Sequence, residues 1–242
     1  MSQVTIAKYA YRGMDVEISS GVFQPNRTTE LLLDAVLGED LSGKSVLDLG
    51  CGSGVVGLAV RSFSKARDVA GSDISVKAVE CAKANARRLG LEIDHREGSM
   101  FDPWAGRMFD VIADDVSGVA EPIARITPWY PPEIVCDAGL DGTINSIRML
   151  EAARSHLKPG GVIFLPTVSL SNEAKILEVA RKLYHQVQLL LKKSWPFRED
   201  IWQKVAANGA CKRLIEEGII KVVPRGSRML WDTSVYKVCL NP

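Results

Sequence analysis

The segment Val46-Leu47-Asp48-Leu49-Gly50-Cys51-Gly52-Ser53-Gly54 constrains this chain more than any other. Residues of strand character run straight into alternating glycines, and a helix-forming stretch over 55–63 follows. A turn built from Gly50, Gly52 and Gly54 lets backbone approach a ligand at the carboxyl end of a strand. The rhythm then repeats. Residues 69–72 read as a second strand, followed by a helix over 76–89, and residues 91–96 and 109–113 read as the third and fourth strands. A helix over 144–157 ends at Pro159-Gly160-Gly161, which launches a fifth strand at 162–165. Asn172 caps a further helix through about Tyr184.

Apolar strands alternating with helices of this length predict an α/β fold, a parallel sheet covered on both faces. Ahead of it, residues 1–22 alternate weakly (Val4, Ile6, Tyr9, Tyr11, then Val16, Ile18) around Arg12-Gly13, the pattern of a short hairpin. Thr28 or Thr29 is placed to cap a helix through Leu31, Leu32, Leu33, Ala35 and Val36 that ends near Gly38. After Leu191 the rhythm changes. Residues 195–217 read as a helical insertion, with extended segments at 219–223 and 234–240 as antiparallel edge strands. The expected division is residues 1–40, a hairpin and helix forming part of a substrate mouth, and residues 41–242, the main domain.

Two cofactor classes use a glycine turn at this place. Dinucleotide enzymes want G-x-G-x-x-G, whose third small residue would fall on Val55 here. The alternating glycines, with Asp48 two places before the first, fit S-adenosylmethionine (SAM) better: it lacks phosphates but carries an ammonium, a sulfonium and a ribose. Candidate cofactor residues are therefore Asp48, Gly50, Cys51, Gly52 and Gly54. Asp73, about 20 residues beyond the turn, is placed to accept the ribose hydroxyls; its competing role is to cap the helix starting at Val76. Ile74 would lie on one adenine face, with Ser99 and Met100 at its edge.

Together these segments, residues 23–165, resemble class I (Rossmann-like) SAM-dependent methyltransferases. The resemblance implies a mostly parallel sheet of about seven strands with helices on both faces. Within the class the chain is most similar to the release-factor glutamine methyltransferase-like group. The matching features are Gly21-Val22-Phe23-Gln24-Pro25, Thr29-Glu30, Asp73-Ile74-Ser75, Asn85, Asp141-Gly142 and Leu157-Lys158-Pro159-Gly160-Gly161. That group carries Asn-Pro-Pro-Tyr after the fourth strand, which holds a planar nitrogen. Here Asp115-Val116-Ser117-Gly118 stand at those four positions. Amide and adenine methylation both need a neutral side-chain and backbone acceptor pair plus an aromatic platform, so the departure points away from both.

A carboxylate at Asp115, beside Asp114, can instead hold a protonated amine or guanidinium, or take a proton from a hydroxyl. Alternatively the two aspartates cap a turn, or Asp114 serves the cofactor. The long stretch 121–141 offers Glu121, Trp129, Tyr130 and Glu133 as a substrate wall, with Phe23 and Ser117 facing it. Trp195-Pro196-Phe197 and Trp202 either close the same mouth or form the private core of the insertion.

The expected function is thus a SAM-dependent methyltransferase acting on a nitrogen or oxygen nucleophile of a small molecule. RNA or protein acceptors are the alternative, motivated by a charge of +7 over residues 181–242 against −6 over the rest. A SAM-binding regulator without catalysis is the other. Five scattered cysteines and three unclustered histidines give no metal site. The absence of an apolar run near 20 residues and of a basic-then-apolar leader gives a cytoplasmic expectation with no membrane. The oligomeric state is left open.

Overall fold

The computed structural model describes residues 7–130, 134 and 136–241. Strands β1 (Ala7–Tyr11) and β2 (Met14–Ile18) pair antiparallel. Arg12 and Gly13 between them have φ of 48° and 82°, the left-handed pair that a two-residue hairpin turn demands. Helix α1 (Arg27–Leu37) is capped two residues earlier than Thr28, by Asn26 and not by Thr28 or Thr29. The Asn26 side chain accepts from the backbone N–H of Thr28 and Thr29, while the Thr29 hydroxyl accepts from the Asn26 N–H. This reciprocal capping box leaves the Thr29 hydroxyl hydrogen free for another partner.

There follow β3 (Ser45–Leu49), α2 (Val55–Phe63), β4 (Asp68–Asp73), α3 (Val76–Arg88), β5 (Asp94–Glu97), β6 (Phe109–Asp114), α4 (Glu121–Ile126), α5 (Ile144–Ala153), β7 (Leu157–Val168), α6 (Glu173–Leu183), β8 (Gln186–Pro196), α7 (Glu199–Ala207), α8 (Gly209–Glu216), β9 (Val223–Arg225) and β10 (Arg228–Cys239). The main sheet runs β5-β4-β3-β6-β7-β10-β8, with β9 paired to β10. Strands β5 to β7 are parallel; β10 is antiparallel to both β7 and β8. All five residues of β3 are buried, as befits the central strand of a sheet covered on both faces. From β3 the chain winds outward through β4 and β5, then returns to β6 on the other side. The carboxyl ends of β3 and β6 therefore flank a switch point, where α/β sheets open a crevice.

The sheet has eight strands. Strand β8 adds to the strands expected from sequence; it is an edge strand whose side chains are mostly exposed, so it leaves no clear apolar period. Residues 219–223 are not a strand, since pairing with β10 begins only at Val223. Strand β5 starts at Asp94, because Leu91 and Ile93 pack under the core as loop. Helix α5 stops at Ala153, and Pro159-Gly160-Gly161 lies within β7, where Gly160 turns through a φ of 69°. Two apolar cores fill the two faces of the sheet. A third joins α4, α7 and α8 to Phe197, Trp129 and Trp231, so the C-terminal insertion has a core of its own that reaches the loop after β6.

Candidate functional site

The crevice at the switch point is a cleft of about 1040 Å³. One end is the turn after β3. Gly50, Gly52 and Gly54 have φ of 76°, 52° and 84°, all left-handed. A Cβ on Gly50 would stand 3.0 Å from Val116 and 3.2 Å from the Asp115 backbone, so only glycine lets the two loops meet. At Gly52 a Cβ would meet nothing within 4 Å, because that edge of the turn faces the cleft. The Gly52 N–H donates to Asp73 Oδ2 at 2.9 Å, and Ser75 N–H donates to Oδ1 at 2.8 Å. Asp73 is thus held at the tip of β4 with its carboxyl raised above the usual range, chiefly by burial. The cap of α3 is Ser75. Beside Asp73, Ile74 stands 64% exposed on the cleft.

Seven of the expected cofactor residues line this end: Gly50, Cys51, Gly52, Asp73, Ile74, Ser99 and Met100. Three do not. Asp48 is fully buried and its Oδ2 accepts the Gly57 N–H at 2.8 Å, so it anchors the first turn of α2 from behind. Burial pushes its carboxyl up to about 7. Gly54 is the left-handed N-cap of α2, and a Cβ there would strike Ala82 of α3 at 3.0 Å. Asp114 points into the sheet's packing at 1% exposed, pushed up to about 8 by burial. Asp48 and Asp114 lie within β3 and β6, in the body of the sheet, whereas Asp115 follows the end of β6.

Asp115 does line the cleft. Its Oδ2 accepts the Thr29 hydroxyl at 3.0 Å, using the hydrogen that the α1 capping box left over. Its carboxyl is raised well above the ordinary range, first by burial, then by the Asp48, Asp114 and Asp73 carboxylates, with Thr29 opposing them. Burial thus disfavours the ionised form of this carboxyl.

Of the expected acceptor residues, Phe23, Ser117, Trp129 and Tyr130 line the same cleft. Phe23 and Tyr130 stack with centroids 5.4 Å apart and planes at 29°. Glu121 does not line it; it opens α4 and is ion-paired with Arg125 one turn on. Glu133 lies outside the described residues. Trp195, Pro196 and Phe197 line the cleft, whereas Trp202 packs on Phe197 in the insertion's own core. Phe197 belongs to both places, lining the cleft and packing in that core. Thr29, Asn145 and Trp231 line the site without having been singled out for it. Asn145 donates to the Ser117 carbonyl at 3.1 Å and so braces the loop after β6. Their only signal is proximity in space, which no spacing in the chain records.

The donor set suits SAM: a carboxylate at the tip of β4 for the ribose diol, an exposed aliphatic face beside it, and open space over Gly52. Fold and cradle together resemble those of the class I, Rossmann-like methyltransferases. More particularly, residues 13–115 match the methyltransferase small domain family. The release factor glutamine methyltransferase of Xylella fastidiosa is 32% identical over 168 residues, 66% of this chain and 60% of that one. A Methanocaldococcus jannaschii relative named for protein N5-glutamine methylation is 27% identical over 187 residues, 77% of this chain and 92% of its own. Among solved structures, the Thermus thermophilus 16S rRNA N2 G1207 methyltransferase covers all of this chain and 52% of its own. It does so with a TM-score of 0.61 at 17% identity, a likeness of fold alone. The chain spans about three-fifths of the release factor enzymes it matches. Among the described residues no helix is long and apolar enough to cross a membrane.

Proposed function

We propose that this chain methylates an uncharged, planar side-chain nitrogen of a protein, an amide of the glutamine kind. The observation that carries this reading is the pairing of a protonation-prone Asp115 with the Phe23–Tyr130 stack in one cleft. An uncharged carboxyl presents a carbonyl oxygen to an amide N–H much as an asparagine does. The stacked rings supply the apolar wall that the four residues after β6 lack. Both halves of an amide site are then present, contributed by different parts of the chain. This departs from the small-molecule expectation, which nothing in the cleft or among the relatives favours.

When bound, SAM supplies an electrophilic methyl group on its sulfonium. The rest is the chain's work. Asp115 accepts from the acceptor's N–H and is itself held by Thr29, so that the nitrogen lone pair is aimed along the cleft. Phe23 and Tyr130 keep water off one face of the amide. One proton leaves the nitrogen for solvent as the new N–C bond forms.

RNA is the second reading, motivated by the +7 of residues 181–242. The cleft itself argues against it: three arginines (Arg27, Arg148, Arg198) line it beside four carboxylates (Glu30, Asp73, Asp115, Asp137), not the basic surface a phosphate backbone requires. Incubation with methyl-labelled SAM and, in parallel, a proteome, total RNA and a metabolite extract tests the proposal. Label in protein, released as N-methylglutamine on proteolysis, is the expected result. Label confined to RNA or to small molecules would overturn it.

A further inference from the structure

His95, on β5, is 4% exposed, and neither of its ring nitrogens has a hydrogen-bond partner among the described residues. An imidazole always carries at least one N–H, and a buried donor with nothing to accept it is unfavourable. The residue also lines a second depression of about 470 Å³, formed at the amino ends of β4 and β5 and away from the cleft. The walls of this depression are cationic: Arg61 from α2, Lys83 and Arg87 from α3, and Arg67 and Arg107.

The ion pairs there are unevenly shared. Arg107 engages Asp68 at 3.1 Å and Asp94 at 3.0 Å, and Arg67 engages Asp68 at 3.4 Å, so both of these carboxylates are already matched. Arg61 donates to the Ala66 carbonyl at 3.3 Å and has no carboxylate partner among the described residues. Lys83 and Arg87 have no carboxylate partner among the described residues, and at i and i+4 on α3 their like charges repel. Glu92 on the rim is the one acidic group left to offset them. Burial first, and Lys83 second, hold the His95 ring down to about 4, so at neutral pH it is an uncharged donor.

We propose that this depression binds a phosphate-type oxyanion, with Lys83, Arg87 and Arg61 around it and the His95 N–H as its buried donor. Such an anion has the lone pairs to accept from an ammonium, guanidinia and an imidazole at once. The site lies apart from the cleft and does not depend on which acceptor is methylated. Its floor nonetheless touches the cofactor turn. A Cβ on Gly71 would stand 2.9 Å from His95 Cδ2, and one on Gly54 would stand 3.4 Å from Nε2. A ring drawn toward an anion therefore relaxes the back of the glycine turn, and occupancy alters SAM affinity.

The test uses the ¹⁵N-labelled full chain, with the His95 ring signals identified by their loss in His95→Gln. Sodium phosphate is titrated at fixed ionic strength, and SAM affinity is measured by calorimetry with and without it. The expected result is a saturable shift of the His95 signals, weakened about tenfold or more in a Lys83→Ala/Arg87→Ala double variant. Both substituted side chains are exposed on α3, so the double variant is expected to fold and to bind SAM. Ribose 5-phosphate and a short single-stranded RNA form two further arms. Response to phosphate and the sugar phosphate identifies a small ligand, and response to RNA alone identifies a nucleic-acid backbone. His95 signals that stay fixed in all arms, or equal binding by the double variant, would overturn the site and leave water as the partner of His95. Saturation without any change in SAM affinity would overturn the link to the turn.

Discussion

At Gly52 the backbone turns through a φ of 52° and gives its N–H to Asp73, leaving the Cα facing open cleft. A β-branched side chain is strained at such a φ and would occupy cofactor space. Gly52→Val is expected to abolish SAM binding with a modest loss of stability, and calorimetry on the folded variant would expose the assignment as wrong if affinity held. Asp73→Ala removes a charged hydrogen-bond acceptor from the cofactor, a loss of about 1.5–3 kcal/mol or roughly ten- to a hundredfold in SAM affinity. Because Asp73 also holds Gly52 and Ser75, its melting temperature should fall too. A lower melting temperature with unaltered affinity would make Asp73 a purely structural residue. Asp115 gives the sharpest contrast. If the uncharged acid is the working form, Asp115→Asn should keep turnover within about tenfold, whereas Asp115→Ala loses about 10²–10³. Activity of the unmodified chain should then fall as pH rises through the raised Asp115 pKa, and Asp115→Asn should flatten that decline. A dead but SAM-binding Asp115→Asn would instead indicate an ionised carboxylate working on a charged amine or a hydroxyl.

The site depends as much on how α1 begins as on any residue in the cleft. Asn26 satisfies two backbone donors of the first turn, and Thr29 closes the capping box while donating to Asp115. Asn26→Ala should cost about 0.5–2 kcal/mol in a denaturant titration. It should also loosen Thr29 and reduce turnover more than SAM affinity, since α1 meets the acceptor side of the cleft. Equal losses in both would mean that α1 supports the whole crevice. How a helix starts was partly legible from Thr28, Thr29 and Gly38, but the cap itself was displaced. Asn, Thr and Thr all favour caps, and only the chain direction entering α1 chooses among them.

For the molecule as a whole, carboxyl groups held inside without cationic partners set the pH response. Asp114 has a folded-state value of about 8 against an ordinary value near 4. Its contribution is fully present below about pH 4 and is lost as pH rises through 8, by up to about 1.4 kcal/mol per pH unit. Asp114→Asn keeps an acceptor for the Val116 N–H and removes the ionisation. The variant should therefore melt above the unmodified chain by a margin that widens from pH 5 to pH 8. A margin independent of pH would show that Asp114 does not titrate in this range.

Much of this was written in the chain. The glycine turn, Asp73 with Ile74 at the tip of the next strand, and the α/β succession all followed from local pattern, because burial on one side of a strand or helix repeats with that element's own period. What the pattern could not reveal was the side on which a carboxylate ends. Asp48 and Asp114 look as suited to a ligand as Asp115, yet the first two sit inside strands packed on both faces and the third stands just beyond the end of β6, where the cleft opens. Strand β8 is hard to read from sequence because an exposed edge carries little apolar signal. On the acceptor side the sequence offered Phe23, Ser117, Trp129 and Tyr130 singly, and the tertiary structure decided what each of them meets. Thr29 reaches Asp115 across 86 residues, and Phe23 finds Tyr130 from another loop altogether. The sequence determined that a glycine turn would open at the carboxyl end of the first strand of the main sheet. Only the winding of the sheet, which brings α1 and the loop after β6 to the same switch point, decided what an acceptor would meet there, because such contacts depend on long-range packing that no local period encodes.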